Sequence, residues 1–187
     1  MQSRACLVLF AAAFAVSAPL SPAARLECDP AQSRIEVIVK ATVDSFTGRL
    51  EKFEPEIILE SAGRVAAARV RFNFGDVKTG KEKRDRAMHE WQQTRDYPGG
   101  EFVLESLTPE ANGQWRARGR LQFHGRSQSQ DFPVTIVTQG DICAIDGEAV
   151  VDTREFGLPV IRMMGLLKVD PLVHVRFHLQ GKTGGTP

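Results

Sequence analysis

The segment KTGKEKRDRAMHEWQQTRDYP, Lys78 to Pro98, reads as the one long helix in a chain otherwise made of short alternating strands. Thr79-Gly80 is a turn signal, and the charged helix formers that follow meet no Pro or Gly until Pro98. Ala87, Met88 and Trp91 recur at helical spacing and make a narrow apolar stripe. A helix of this length is marginal alone in water, so the stripe must pack on the rest of the chain. Two placements satisfy that requirement: a lid over one end of a barrel, or a surface helix on a sheet with no cavity beneath it.

Upstream of the helix, Ser33 to Val43 alternates cleanly, with Ile35, Val37, Val39, Ala41 and Val43 on one face and Arg34, Glu36, Lys40 and Thr42 on the other. A second strand begins at Phe46-Thr47-Gly48-Arg49-Leu50 and runs unevenly to about Leu59, where Gly48 and Pro55 mark a bulge, bend or edge. Arg64 to Phe74 is the third, with Ala66, Ala68, Val70, Phe72 and Phe74 sharing a face. Downstream, the turn Tyr97-Pro98-Gly99-Gly100 leads to a strand over Glu101 to Leu107. Gln114 to His124 places Trp115, Ala117, Gly119, Leu121 and Phe123 on one side, and a polar turn over Gly125 to Gln130 precedes Phe132 to Thr138. Cys143 to Val151, an irregular Asp152 to Met164, and a last strand from Leu166 to about Gln180 complete the pattern. About eight short strands, with one helix inserted between the third and fourth, predict an all-β, antiparallel barrel. Eight strands closed on themselves leave room for side chains or one small ligand, and closure removes exposed edges.

The chain's start predicts an export signal: Arg4 as a positive n-region, Cys6 to Val16 as an apolar h-region, then small residues and a cleavage site near Ala23 or Ala24. That h-region is too short to span a bilayer, so residues 1–24 are expected to be removed, leaving a mature chain with no transmembrane segment in the periplasm or secreted. The barrel then occupies residues 25–180, with a disordered tail over 181–187. The whole chain carries 24 Lys+Arg against 23 Asp+Glu, and loss of Arg4 makes the mature chain formally neutral. A neutral balance speaks against a nucleic-acid partner. Cys28 and Cys143 remain after processing, and the sequence leaves open whether they bond or stay two separate buried thiols.

Catalytic signals are missing from the sequence. No GxSxG, HExxH, CxxC or phosphate-binding glycine loop occurs. His174 and His178 stand four apart, but on a strand that separation is about 13 Å, too far for one metal ion, so no metal site is expected. Asp146, Glu148 and Asp152 fall on the outer face of their strand.

An ordered set of short motifs spans Leu26 to Leu179: Asp29-Pro30 with Ser33, Phe46-Thr47-Gly48-Arg49-Leu50, Thr79-Gly80 with Arg84-Asp85, and Tyr97-Pro98. Phe102 with Ser106, Gly119-Arg120-Leu121 with His124-Gly125, Phe132-Pro133-Val134, and Arg154 with Phe156-Gly157 continue it. In this order the chain resembles the YceI-like family of exported polyisoprenoid-binding proteins with a lipocalin-like barrel. The resemblance implies a helix against the barrel's opening and a long apolar channel holding an isoprenoid quinone, polyprenyl lipid or fatty-acid-like chain, with no required cofactor. The chain departs from the common family pattern where Ala87 and Met88 replace a histidine and leucine after the Arg-Asp pair, and where no histidine occurs near Lys40 to Thr42.

The resulting expectation is an exported, non-enzymatic lipid-binding protein. Val37, Val39, Phe72, Phe74, Phe102 and Phe123 are candidates for the channel wall, and Met88, Trp91, Met163 and Met164 for its mouth. Arg84 and Asp85 suggest an ion pair ordering the lid, or a solvated helix face. Arg154 suggests a brace for the irregular loop, or a surface arginine. The alternative class is an envelope protein-interaction module with a filled barrel and no ligand. Oligomeric state is left open.

Overall fold

The computed structural model describes residues 24–42, 44–60, 64–163 and 167–184. Its strands are β1 (Ala24–Cys28), β2 (Arg34–Ala41), β3 (Phe46–Leu50), β4 (Phe53–Leu59), β5 (Val65–Asn73) and β6 (Val77–Lys78) before the helix α1 (Glu82–Gln92). After it come β7 (Gly99–Pro109), β8 (Trp115–Phe123), β9 (Arg126–Gln139), β10 (Ile142–Asp152), the short β11 (Arg162–Met163) and β12 (Leu167–Thr183). Three consecutive pairs are single staves broken by a bend. β1 and β2 both pair with β12, β4 and β3 continue one ladder, and β5 and β6 face them in turn. The result is a closed antiparallel barrel of eight staves, each beside its sequence neighbour, with α1 between the third and fourth.

Closure depends on β12. One edge of it pairs with β10 from Leu172 to Lys182, and the other pairs first with β2 and then with β1 through Gly181–Thr183. Gly181–Thr183 are therefore strand, not the start of the disordered tail expected from the sequence. Gly181 is required there because a Cβ would sit 2.3 Å from the Glu27 carbonyl oxygen as β1 crosses. β1 itself was not legible as a strand, since ARLEC is too short to show a period. The leader expected over residues 1–24 lies outside the described residues apart from Ala24, which opens β1, and Val43 and residues 61–63 lie outside them too.

The helix is shorter than expected. Gln93 takes a left-handed conformation (φ 56°) and its N–H caps Glu90 and His89. The buried Gln92 amide then ties the chain down, donating to the Tyr97 carbonyl (3.0 Å) while accepting from Thr94 Oγ1 (2.6 Å). The polar turn expected over Gly125 to Gln130 is also a correction. The β8–β9 hairpin turns on His124 and Gly125 alone, both at positive φ (48° and 68°), which matches the twist of paired strands, and β9 begins at Arg126. No described helix is long and apolar enough to cross a membrane.

Packing differs along the barrel axis. At the end away from α1, Leu26, Leu59 and Cys143 are sealed inside a solid cluster. At the α1 end, Phe123, Val151, Phe156 and Leu158 make a second cluster, with Phe74 stacked on Phe123 at 5.6 Å. Phe156 and Leu158 come from the segment read as irregular, which folds into a short 3-10 turn over Thr153–Phe156 ended by Gly157 at φ 79°.

Candidate functional site

Between these ends the barrel is hollow, with a third cluster, Ala117, Phe132, Val134 and Ala149, forming part of its wall. A cavity of about 690 Å³ runs inside the staves, within the range of small-molecule sites. All six residues expected on the channel wall, Val37, Val39, Phe72, Phe74, Phe102 and Phe123, line it. Phe74 does so from the 3-10 turn Phe74–Asp76 rather than from the strand expected to contain it. Alternation explains the wall, because every second residue of a barrel strand faces inward.

Alternation does not explain why an interior rich in phenylalanine stays open. Three glycines do. The ring of Phe72 lies over Gly100, that of Phe102 over Gly119, and that of Phe177 over Gly147. In each case a Cβ on the glycine would fall 2.4 Å from the ring's Cζ. The rings thus lie along the wall, in space a side chain would have taken.

The helix supplies one side of the cavity. Arg84, Ala87, Met88 and Trp91, at spacings of three, one and three, all line it, so the apolar stripe faces inward and α1 lies over the opening. Trp91 Nε1 donates to the Pro159 carbonyl at 2.8 Å, joining helix to loop. Exposed Asp44 and Pro159 are also lining residues, which places the mouth between the β2–β3 turn, α1 and the loop before β11. Met164 lies outside the described residues, and Met163 is described only as backbone in β11.

Arg84 and Asp85 do not pair with each other. Adjacent helix positions point apart. Arg84 lies over the Phe46 ring, 4.3 Å from its centroid. Asp85 turns the other way and accepts from Thr79 N (2.9 Å) and Thr79 Oγ1 (2.6 Å). Desolvation pushes the Asp85 carboxyl upward, but the Thr79 hydrogen bonds with Lys78 and His89 outweigh it and hold it below the ordinary value. Asp85 therefore braces the turn that leads into α1, while Arg84 stands at the mouth. Arg154 pairs with Asp152 (Nε to Oδ1 2.9 Å), which also caps its backbone N–H, and so closes the 3-10 turn locally. Hydrogen bonds from Arg154 hold the Asp152 carboxyl low against a smaller desolvation effect.

Cys28 and Cys143 are free thiols, both paired in register with Gly181 from opposite sides of β12. Two strand spacings put their backbones roughly 10 Å apart, beyond disulfide reach. Burial pushes the Cys28 thiol up to about 11, Cys143 adding in the same direction, and burial also raises Cys143. Both are protonated, unreactive core thiols at neutral pH. His174 and His178 bond outer-face acids, Glu148 at 2.8 Å and Asp146 at 2.7 Å.

Several lining residues, Leu104, Thr153 and Asp170 among them, were not placed at the cavity by the sequence, and the buried amide Gln130 is the most informative of these. Gln130, assigned to a polar turn, belongs to the inward set of β9 with Phe132, Val134 and Ile136. The signal was present, since Gln130 keeps the phase of Phe132, but polar neighbours concealed it.

A closed eight-stave antiparallel barrel with an apolar interior and a helix across its mouth defines a lipocalin-like binding fold. The YceI-like domain model matches residues 26–181, and the chain belongs to the YceI-like family. A search of curated protein sequences finds no match. Among solved structures, Burkholderia cenocepacia BcnA superposes with a TM-score of 0.74 at 19% identity, covering 83% of this chain and 100% of that one. A polyisoprenoid binding domain from Saccharophagus degradans, described as implicated in plant cell wall breakdown, gives 0.63 at 16% identity over 88% and 100%. The YCEI protein of Campylobacter jejuni gives 0.68 at 12% identity over 76% and 88%. At these identities the likeness is one of fold.

Proposed function

We propose that this protein is an exported carrier or sequestering protein that holds one long apolar molecule inside the barrel: an isoprenoid quinone, a polyprenyl lipid or a fatty-acid-like chain. The observation that carries the reading is the cavity itself, about 690 Å³, walled chiefly by Val, Ile, Leu, Phe and Ala and covered by the apolar face of α1. Burying a chain there releases about 0.8 kcal/mol per CH2, so affinity needs no catalytic group or metal. The Saccharophagus relative, described as polyisoprenoid binding, lends support, and a filled interaction module does not account for the hollow. Export rests on the leader expected over residues 1–24, which puts the barrel in the periplasm or outside the cell.

Trp91 makes the test direct. It lines the cavity and Trp115 does not. Titration with a quinone should quench tryptophan fluorescence, and Trp91→Phe should remove most of the quench while binding persists by native mass spectrometry. Organic extraction of protein purified without detergent should yield an isoprenoid or acyl-chain adduct. An adduct-free protein that also ignores added quinones and acyl chains would sink the reading.

A further inference from the structure

Four polar side chains are buried in the described barrel: Ser33, Gln92, Gln130 and Thr153. Three have partners. Ser33 Oγ donates to the Gln180 carbonyl (3.2 Å), Gln92 Nε2 to the Tyr97 carbonyl (3.0 Å), and Thr153 Oγ1 to the Pro171 carbonyl (3.1 Å). Gln130, only 7% exposed, has no side-chain hydrogen bond to any described residue. Nor is its amide walled in by protein, because no fully enclosed polar side-chain atom among the described residues lacks a partner. The amide therefore opens onto the cavity that Gln130 lines.

Across the ladder stands Gly119, which offers the amide no side-chain partner, and the Phe102 ring lies over it. Along β9 the residues of the same phase are Phe132 and Gln128, the latter donating to the Glu155 carbonyl (3.1 Å), and diagonally across on β8 stand Ala117 and Leu121. A buried amide in apolar surroundings is destabilising unless something hydrogen-bonds to it. Its two N–H donors fit a carbonyl oxygen. An ionised head does not fit, since no cationic side chain accompanies Gln130 to offset the cost of burying a charge.

Resting on the carrier reading above, we infer that Gln130 is the specificity-determining polar contact of the cavity, donating to a neutral carbonyl carried on the apolar ligand. This selects a carbonyl-bearing molecule such as a quinone over a pure hydrocarbon or an ionised fatty acid. Arg84, Asp44 and Asp170 stand among the lining residues as well, but Asp44 is exposed and Arg84 already covers Phe46.

The test compares a decyl-tailed benzoquinone with decylbenzene, measured by displacement of a fluorescent apolar probe from wild type, Gln130→Leu and Gln130→Met. Wild type should prefer the quinone. Each substitution should weaken quinone binding about tenfold while leaving decylbenzene within about twofold. Infrared spectra with an isotope-labelled quinone carbonyl should show a lowered stretch in wild type that returns to its free position in Gln130→Leu. Unliganded Gln130→Leu should melt higher than wild type, since it removes an unpaired amide, so folding does not limit the experiment. Equal loss of both probes, or no change in either, overturns the assignment. A wild type that binds neither probe defeats the carrier reading itself, whereas a wild type that binds both equally defeats only the role of Gln130.

Discussion

The two ends of the barrel are built from the same alternating inward residues and behave differently. Away from α1, Leu26, Leu59 and Cys143 are sealed in a packed cluster and none of them lines the cavity, because β1 crosses close over Gly181 and brings the further buried side chain of Leu26 to that end. Towards α1, the inward residues are larger yet leave a cavity, because Phe72, Phe102 and Phe177 lie over glycines along the wall. Side-chain volume alone therefore does not decide whether a barrel is solid. The backbone's approach and the direction of each ring decide it.

The largest effect that would break this contrast is expected at the plug. Leu59→Ala should cost about 3 kcal/mol, since it leaves a void in a closed cluster, whereas Val37→Ala on the cavity wall should cost about 1 kcal/mol, its side chain already facing open space. Urea denaturation of the two variants measures the difference, and equal costs would mean that the middle is packed like the plug.

A smaller effect sharpens the account of the hollow. Gly147→Ala places a methyl 2.4 Å from Phe177 Cζ, and the obstruction is side chain, not backbone, so the ring should swing into the lumen. Ligand affinity should fall about fivefold, consistent with an overpacking cost near 1 kcal/mol, with little loss of stability. Isothermal titration with a quinone checks this, and unaltered affinity would show that the Phe177 ring has another place to go.

The smallest expected effect concerns the lid. The Asp85 carboxyl is held below its ordinary value in the folded protein, so its contribution is complete above the ordinary carboxylate range and disappears as pH falls through the folded value. The protection factors of the α1 amides, taken against the intrinsic exchange rate at each pH, should therefore fall in acid in wild type. Asp85→Asn should exchange faster at neutral pH and respond less to acid, and a variant indistinguishable from wild type at every pH would remove Asp85 as the brace of Thr79.

The sequence by itself determined the eight-stave alternation, the place of the helix and the inward set of wall residues, since all three follow from periods of two and of roughly three and a half read along the chain. Phe72, Phe102 and Phe123 could be assigned to the interior on that ground alone. It also displayed the stripe of Ala87, Met88 and Trp91, but not what the stripe covers. β1 and the strand character of Gly181–Thr183 depended on pairing between residues far apart in the chain, and short segments acquire their structure from partners. The orientation of Arg84 towards Phe46, the pairing of Asp85 with Thr79, the separation of Cys28 from Cys143 across Gly181, and the unpartnered amide of Gln130 were likewise tertiary outcomes. The physical reason is the same in each case: periodicity fixes which way a side chain leaves the backbone, but what it meets there is set by the neighbouring staves.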